Sequence, residues 1–484
     1  MDVLKNLFEQ HFHLPVKRFQ PVQGDLGGSG RKIIRLAGGN LTAIGVLYDV
    51  REENVAFLEF SRHFRKHGLP IPEIYEEDLS QGAYLEEDLG STTLFEFLSK
   101  NREAEKIAPG VVEAYRKVVA LLPRFQIEAA RDLNYKVCYP RAVFDAQSIV
   151  WDLNYFKYYF LRLAGIYFNE QSLEDDFSRL TAYLLTADLD HFLYRDFQSR
   201  NVMLRGDEPF FLDYQGGRKG ALQYDIASLL FDAKADLPPD LRRQLLDLYL
   251  DRLGEFIPLD RNAFMLHYYP YVYLRIMQAL GAYGFRGFYE RKAHFLQSVP
   301  YALNNLRWLL QNVEIPLALP ALMDALSRIA ASEKLRRIAP AAKPRALAPE
   351  EKKLVVRIFS FSYRQGLPKD ETGHGGGFVF DARSIPNPGR EEQFAPLTGK
   401  DAPVIEYLNR QESVRPYLAS VSSLVDASVK EYQGRGFTSL TVSFGCTGGQ
   451  HRSVYFAEQL AKHLSGKKGI EVIVRHLGLE SRIE

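Results

Sequence analysis

The chain has 484 residues and a formal net charge of +1 at pH 7, with 46% apolar and 25% charged residues. This balance is typical of globular domains and excludes a global field that would select a polyanionic partner. Two distant cysteines, Cys138 and Cys446, exclude a disulfide framework and indicate a reducing compartment. The N-terminus lacks a signal-peptide pattern, and no apolar run reaches the roughly 18 residues of a membrane span. We therefore expect a cytoplasmic protein with no membrane partner.

The first ninety residues predict a small sheet-rich lobe with one amphipathic helix. A glycine-rich turn, Gly24 to Gly30, precedes the second strand and would bring backbone N–H groups close to phosphates, although glycine turns are also common in ligand-free hairpins. The predicted strands are Phe19 to Val22, Lys32 to Leu36, Leu41 to Leu47 and Ala83 to Leu85, and the predicted helix is Glu52 to Lys66.

The pattern from about Leu94 to Leu326 is mainly helical, as in Val111 to Leu122 and Trp151 to Ala164. Two short strand-like pieces interrupt it between Phe192 and Gly220. Beyond a proline-rich linker the composition shifts to an α/β pattern, with strands Leu354 to Phe361 and Leu440 to Phe444 and helices Val414 to Tyr432 and Val454 to Leu464. The predicted boundaries are a small lobe at 1–90, a helical lobe at 91–338, a linker at 339–350 and an α/β domain at 351–484.

Three polar residues around the interrupted region fit phosphoryl transfer. Asp196 lies in Tyr194-Arg195-Asp196-Phe197-Gln198-Ser199-Arg200-Asn201, and Asp213 follows the next strand. Phosphoryl transfer needs a carboxylate that orients the acceptor hydroxyl and oxygen ligands that hold Mg²⁺ on the phosphates. Asp196 is the candidate for the first role, and Asn201 and Asp213 for the second. The structural alternative is that Asp196 caps a helix and Asp213 lies in a hairpin turn.

Residues 1 to about 330 resemble the aminoglycoside phosphotransferase and choline kinase superfamily, and within it most the kinases that phosphorylate the anomeric hydroxyl of N-acetylmuramate and N-acetylglucosamine. The resemblance implies ATP in a cleft between two lobes. The matching segments are Gly28 to Leu36, Tyr84 to Gly90, Arg195 to Asn201, Leu212 to Gln215, and Gly220 with Tyr224 to Leu230. The ATP-binding residues it implies are Gly27, Gly28, Ser29, Gly30 and Arg31, together with the backbone around Glu86 and Glu87 for adenine.

Two departures from that family leave a pseudokinase as an alternative. The third strand has no lysine, so Arg31 or Lys32 would supply the phosphate-binding charge unless both are merely solvated hairpin residues. Tyr194 stands where many relatives carry histidine. Near the acceptor, a face with Trp151, Asp152 and Tyr155 would bind sugar hydroxyls or simply pack in the core, and an aminoglycoside, choline or nucleotide acceptor stays open.

In the C-terminal part, an apolar strand runs into a glycine loop and then a helix, which is a ready anion site. A tight turn whose glycines serve packing alone is the structural alternative. Cys446 and Arg452 also have the C-x5-R-S spacing of protein tyrosine phosphatases, which makes a Cys446 nucleophile a further alternative. The candidate anion-binding residues are Cys446, Thr447, Gly448, Gly449, Gln450, His451, Arg452 and Ser453.

Residues 354 to 481 resemble the C-terminal domain of the RNase adapter protein RapZ. The resemblance implies binding of an amino-sugar phosphate, glucosamine-6-phosphate, or of small RNAs. The matching segments are Phe361 to Pro368, Phe378 to Arg383, Ile385 to Pro388, Leu397 to Gly399, Gly445 to Val454 and Val474 to His476. That family's N-terminal P-loop motif is absent from the sequence, and Glu351 to Glu484 carries 18 Lys and Arg against 15 Asp and Glu. This weak basic excess ranks a sugar phosphate above RNA as the ligand.

Together these patterns predict an α+β protein-kinase-like bilobal fold followed by a separate small α/β domain. We expect an ATP- and Mg²⁺-dependent kinase of an amino sugar, with a C-terminal domain that binds a phosphorylated ligand. The alternative is a non-catalytic pseudokinase adapter that binds RNA or a phosphorylated metabolite.

Overall fold

The computed structural model describes residues 1–22, 30–103, 106–338, 353–368 and 376–480. The chain divides into two compact units, Met1–Lys343 and Pro344–Glu484. The division falls inside the predicted linker, whose residues 339–350 lie outside the described ranges. Each unit has its own apolar core, as expected for parts of a chain that are domains in their own right.

The first unit begins with a five-stranded antiparallel sheet in the order β1-β2-β3-β5-β4. One helix packs on this sheet through Leu4 and Phe8, which contact a satellite core that includes Leu36 and Leu85. The elements of this small lobe are α1 (Asp2–Phe12), β1 (Arg18–Pro21), β2 (Lys32–Gly38), β3 (Leu41–Leu47), α2 (Arg51–Lys66), β4 (Ile74–Asp78) and β5 (Ala83–Glu87). The sequence pattern did not indicate β4, because this edge strand has no buried side chain and therefore no apolar alternation.

The remainder of the first unit is mainly helical and shares one large core with α2. Two short antiparallel ribbons, β8 with β11 and β9 with β10, interrupt the helices. The elements are α3 (Leu94–Lys100), β6 (Arg102–Glu103), β7 (Lys106–Ile107), α4 (Pro109–Pro123), α5 (Ala146–Phe156), α6 (Arg162–Ala164), α7 (Glu170–Leu184), β8 (His191–Leu193), β9 (Val202–Arg205), β10 (Glu208–Phe211), β11 (Arg218–Gly220), α8 (Gln223–Leu230), α9 (Pro239–Gly254), α10 (Arg261–Gly284), α11 (Ala293–Leu296), α12 (Val299–Asn312), α13 (Pro320–Ala331) and α14 (Glu333–Arg336).

The predicted helix from Trp151 to Ala164 is interrupted. Regular α-helix ends at Phe156, and a π-helical turn, Lys157–Leu161, joins α5 to the short α6. The turn lies where α10 approaches most closely: a Cβ on Gly284 would stand 2.0 Å from the carbonyl oxygen of Tyr159. Apolar periodicity cannot indicate such an insertion, since it arises from packing against a helix more than a hundred residues away.

The second unit is an α/β domain with a parallel sheet in the order β13-β14-β12-β15. Its register pairs Ser362, at the end of β12, with Cys446, at the end of β14. The elements are β12 (Leu354–Ser362), β13 (Phe378–Asp381), α15 (Ala402–Asn409), α16 (Val414–Gly434), β14 (Ser439–Cys446), α17 (Arg452–Leu464), β15 (Ile470–His476) and α18 (Leu477–Glu480). The predicted fold class, a bilobal α+β unit followed by a separate α/β domain, is confirmed.

The close approach of α10 and the π-helical turn predicts that Gly284→Ala destabilises the first unit. The added methyl group would overlap the backbone of Tyr159, and overpacking of this kind costs about 1–3 kcal/mol. Gly254→Ala is the matched control, because a Cβ there meets no atom within 4 Å. Differential scanning calorimetry should show a lower unfolding temperature for Gly284→Ala alone, and an unchanged temperature would contradict the close packing.

Candidate functional site

The three predicted phosphoryl-transfer residues lie together. The side-chain nitrogen of Asn201 donates hydrogen bonds to the backbone carbonyl of Asp196 (2.8 Å) and to Oδ2 of Asp213 (3.0 Å). Gln215 donates to the other oxygen of Asp213 at 2.6 Å. Since both contacts of Asn201 use its nitrogen, its amide oxygen remains as a ligand atom beside the Asp213 carboxylate. Two such oxygens, completed by phosphate and water, fit the coordination that Mg²⁺ prefers.

The loop that carries Asp196 is held by a buried carboxylate. Asp225 in α8 accepts hydrogen bonds from the backbone N–H groups of Tyr194 (2.8 Å) and Arg195 (3.0 Å). Arg195 has a φ of 83° and Asp213 a φ of 68°, so both flanks of the site use left-handed backbone that side chains rarely adopt. Such strain is stored at functional sites when the surrounding hydrogen bonds enforce it.

Tyr194, which replaces the histidine of many relatives, has a structural role. Its ring is buried, and its hydroxyl donates to the backbone carbonyl of Leu212 at 2.7 Å. Leu212 directly precedes Asp213. The tyrosine therefore fixes the spacing between the two acidic residues of the site. This role requires a hydrogen-bond donor but no group that titrates near neutral pH.

Negative charge accumulates in this cleft. Burial raises the pKa of Asp213, and the neighbouring Asp196 raises it further. Burial also raises the pKa of Glu53, in the first turn of α2, with smaller contributions from Asp213 and Asp196. Each carboxylate makes the next harder to ionise, so the site favours any cation that arrives.

Arg31 supplies a fixed positive charge at the same place. Its guanidinium donates to Glu53 at 2.7 Å, lies 3.5 Å from Oδ1 of Asp213, and stacks over the ring of Tyr48 at 4.8 Å. The side chain is 9% exposed, and its Nε is buried without a hydrogen-bond partner. Kinases commonly place a lysine on the third strand against a glutamate of the following helix. Here Arg31, directly before β2, pairs with Glu53 of α2 instead.

Sequence reasoning missed Glu53. The available signal was its place on the helix that follows a strand lacking the expected lysine, since that helix is where a kinase carries its paired glutamate. Of the residues predicted to bind the phosphates of ATP, Gly30 and Arg31 lie within the described ranges. Gly27, Gly28 and Ser29 lie outside the described ranges.

The predicted adenine edge is the last two residues of β5. Glu87 donates its backbone N–H to the carbonyl of Glu73 at 2.8 Å, and its carboxylate pairs with Arg205. The side chain of Glu86 is buried, its Oε2 has no hydrogen-bond partner, and burial raises its pKa to about 8. Its carboxyl group therefore favours the protonated form at neutral pH, and Glu86 is paired in the sheet with Ile44 of β3 on one side and Ile74 of β4 on the other.

On the acceptor side, Asp152 forms a two-pronged ion pair with Arg195, at 2.6 and 2.8 Å. The carboxylate is thus committed to orienting the residue before Asp196. Trp151, next to it on α5, is 47% exposed. Gly216 lies against Asp196: a Cβ there would stand 3.8 Å from its Oδ2. A larger residue at Gly216 would occupy the space beside the Asp196 carboxylate.

In the second unit, the loop after β14 closes around Cys446. The thiol sulfur accepts the backbone N–H of Gly449 (3.2 Å) and lies 3.1 Å from the hydroxyl of Ser453. Gly449 has a φ of 67°, and a Cβ on it would stand 2.9 Å from the backbone nitrogen of Ser362, so the tight turn requires glycine. Thr447 and Gly448 are the exposed residues of the loop.

The polar side chains that follow this loop bind protein carbonyls. Gln450 donates to the carbonyls of Ala395 and Leu397, and a ring nitrogen of His451 lies 2.9 Å from the carbonyl of Phe394. Arg452 donates to the carbonyls of Arg383 (3.0 Å) and Ile385 (2.8 Å). These three residues hold a neighbouring segment in place. Arg452 makes both of its carbonyl contacts through one guanidinium nitrogen, and its Nε is buried without a hydrogen-bond partner, so the two contacts do not occupy the whole guanidinium. The thiol of Cys446 is buried, which disfavours a phosphatase centred on it.

Two family models match the chain. Residues 47–259 match the phosphotransferase enzyme family, and residues 354–480 match the RapZ C-terminal domain. Among curated proteins, a nucleotide-binding protein of Acidobacterium capsulatum is 45% identical over 125 residues, which is 26% of this chain and 39% of that protein. A nucleotide-binding protein of Shewanella sp. strain ANA-3 is 42% identical over 126 residues, or 26% and 42% of the two chains. The chain thus spans about two fifths of the length of these relatives.

Among solved structures, choline kinase from Cryptosporidium parvum is 10% identical with a TM-score of 0.44, and the alignment covers 67% of this chain and 99% of that one. A spectinomycin phosphotransferase in complex with ADP and spectinomycin is 12% identical with a TM-score of 0.42, covering 67% and 97%. Within the part of the chain that the structure describes, every helix is too short or too polar to cross a membrane.

The burial of Glu86 predicts a pH dependence of stability. Because burial raises its pKa from 4.5 to about 8, the folded protein keeps a proton that the unfolded chain releases between these values. Stability should therefore fall as pH rises from 5 to 8, by at most about 1.4 kcal/mol per pH unit. In Glu86→Gln that slope should be smaller, as measured from unfolding temperatures across this range.

The exposed Glu59, also in the small lobe, provides the control. Glu59→Gln should keep the pH dependence of the unmodified chain. If Glu86→Gln did the same, the carboxyl group of Glu86 would be ionised in the folded protein.

Proposed function

Since residues 47–259 form a phosphotransferase-family domain and residues 354–480 a RapZ C-terminal domain, we propose that this chain is an ATP-dependent amino-sugar kinase with a sugar-phosphate-binding domain. The acceptor is the anomeric hydroxyl of N-acetylmuramate or N-acetylglucosamine, a choice that rests on the family resemblance of the sequence. The observation that carries the kinase proposal is the convergence of Asp196, Asn201, Asp213 and Arg31 in one cleft.

In the proposed reaction, Asp196 accepts a hydrogen bond from the acceptor hydroxyl and takes its proton as the new oxygen–phosphorus bond forms. The bond between the γ-phosphorus and the bridging oxygen breaks, and ADP leaves. The free space at Gly216 admits the hydroxyl beside Asp196. Bound Mg²⁺ would neutralise phosphate charge, and its ligands would be the oxygen of Asn201 and the carboxylate of Asp213.

Arg31 replaces the missing third-strand lysine in this proposal. Glu53 and the ring of Tyr48 hold its guanidinium in one orientation before substrate arrives, so little side-chain entropy is lost when it contacts a phosphate. A guanidinium is also permanently charged and presents several donors in a fixed plane. These properties support retained catalysis in a chain whose third strand carries no lysine.

The first test incubates the full chain with ATP, Mg²⁺ and one of four acceptors, N-acetylglucosamine, N-acetylmuramate, an aminoglycoside or choline, and follows products by phosphorus NMR. We expect an anomeric sugar phosphate. Asp196→Asn should lower kcat by about 10²- to 10⁴-fold, the usual contribution of an acid–base group, with ATP affinity preserved.

The control is Asp207→Asn, which removes an exposed carboxylate from the turn between β9 and β10 and should leave kcat unchanged. ATP binding without transfer to any of the four acceptors would favour the pseudokinase adapter. Tight, salt-sensitive RNA binding by the full chain would then support that alternative.

For the second unit, the exposed loop residues Thr447 and Gly448 support the proposal of a phosphate site. They precede α17, whose first N–H groups and positive dipole end attract anions, and they follow the carboxyl end of β14, where α/β sheets bind ligands. Arg452 bonds protein carbonyls through one nitrogen only, so the loop backbone and the rest of this guanidinium would bind the phosphate together. RNA is the alternative ligand, because the domain resembles that of an RNase adapter protein.

Gly448→Ala tests this site with little risk to the fold, because a Cβ there meets no atom within 4 Å. By calorimetry, glucosamine-6-phosphate should bind the unmodified chain, and the methyl group should weaken binding by about tenfold or more, which is 1.4 kcal/mol. Gly434→Ala, also free of contacts, should bind normally. Equal binding by both variants would place the ligand elsewhere.

A further inference from the structure

A second group of metal-binding side chains lies at the far end of α2. His63 is in the last turn of this helix, His67 directly follows it, and Asp132 lies beyond the π-helical turn Arg124–Glu128. One ligand atom from each residue can be chosen so that all three lie within 4.8 Å of one another. Neither the kinase proposal nor the family matches assign a role to these residues.

The distances in this group are close to those of a metal site. Nε2 of His67 lies 2.9 Å, and Nε2 of His63 3.6 Å, from the same oxygen of Asp132. In a tetrahedral zinc site, metal–ligand bonds of about 2.0–2.2 Å place neighbouring ligand atoms roughly 3.3 Å apart. The two separations from Asp132 lie on either side of that value, and all three ligand atoms lie within 4.8 Å of one another, so side-chain rotations would admit an ion.

The backbone around the group is already fixed. The two imidazole rings are four residues apart on one helical face, with centroids 4.6 Å apart. Arg124 donates to the backbone carbonyl of His67 at 2.9 Å, which ties the end of α2 to the segment that carries Asp132. Asp132 has a half-exposed side chain, so an ion can enter from solvent.

Two hydrogen bonds compete with metal binding. In the metal-free protein, Nε2 of His63 donates to the carbonyl oxygen of Ala129 at 2.7 Å, and Nε2 of His67 donates to Oδ1 of Asp132 at 2.9 Å. A metal would need the proton on each Nε2 to move to Nδ1, and each lost hydrogen bond would cost about 1 kcal/mol. That cost is small against the affinity of two imidazoles and a carboxylate for a transition metal.

We propose that His63, His67 and Asp132 bind a divalent transition-metal ion of the zinc class, with water completing its coordination. The ion joins the end of α2 to the segment after α4. The same helix carries Glu53 in its first turn, which holds Arg31, and Ser61, whose hydroxyl lies 2.7 Å from that of Tyr214. A metal at one end of α2 therefore fixes the helix that positions the ion pair at the other.

The test titrates the chelator-treated full chain with Co²⁺, followed by visible absorption, and with Zn²⁺, followed by calorimetry. We expect nitrogen-ligated Co²⁺ bands and tight Zn²⁺ binding at this site. His63→Gln and His67→Gln should each weaken binding by at least about tenfold. Glutamine keeps an amide donor for the carbonyl of Ala129 at position 63 and for the carboxylate of Asp132 at position 67, so metal-free unfolding temperatures should stay close to that of the unmodified chain.

Two controls separate this site from other ligands in the chain. His191→Gln alters a histidine that pairs with Asp188 away from α2 and should bind Zn²⁺ normally. Asp213→Asn removes the carboxylate proposed for Mg²⁺ and should also keep the Co²⁺ bands. A double His63→Gln, His67→Gln variant that bound either metal as tightly as the unmodified chain would overturn the proposal, as would a failure of the unmodified chain to bind.

Discussion

The candidate active site depends on how one guanidinium balances several partly buried carboxylates. Asp196, Asp213 and Glu53 face the same cleft, and the main cause of the raised pKa of Asp213 and Glu53 is desolvation. Opposite charges about 4 Å apart attract by about 4 kcal/mol at an effective dielectric constant of 20, before desolvation is subtracted. Arg31, in contact with both Glu53 and Asp213, is the neighbour that makes this arrangement tolerable.

That balance leaves the cleft short of positive charge. Arg31 pairs with Glu53 at 2.7 Å but stands 3.5 Å from Asp213, and Asn201 and Gln215 offer Asp213 only neutral donors. A divalent cation at Asp213 would complete the neutralisation, and the amide oxygen of Asn201 faces no competing role. A divalent cation at this place would thus complement the charges that the protein itself supplies.

How far the sequence predicted this site depends on the kind of information each residue carries. The grouping of Asp196, Asn201 and Asp213 follows from short spacings around one ribbon, so the motif was enough. The partner of Arg31 is 22 residues away on another element, so sequence spacing could not decide whether Arg31 binds phosphate or is a solvated hairpin residue. The near-complete burial of the Arg31 side chain excludes the solvated alternative.

The same limit applies to larger features. Strand β3 was predicted with the bounds it has, because alternation along one strand is local information. The break in the helix after Phe156 was not predicted, because it lies where Gly284 of another helix packs closely, and such a long-range contact leaves no mark in local periodicity. In the second unit, the glycine loop was predicted, but the direction of Arg452 was not: a motif lists residue types, and only the fold shows that its guanidinium binds Arg383 and Ile385 carbonyls.

That last contrast bears on what kind of ligand the second unit binds. A site built on a free arginine would recognise any phosphate through charge, including those of a nucleic acid backbone. A site built on backbone N–H groups in a closed turn, beside a glycine with a φ of 67°, selects by shape and admits a single small anion. Arg452 holds the neighbouring segment through one nitrogen and keeps an unpaired Nε beside this loop, so charge and loop shape would act together, and a compact phosphorylated metabolite is the ligand we expect to fit both.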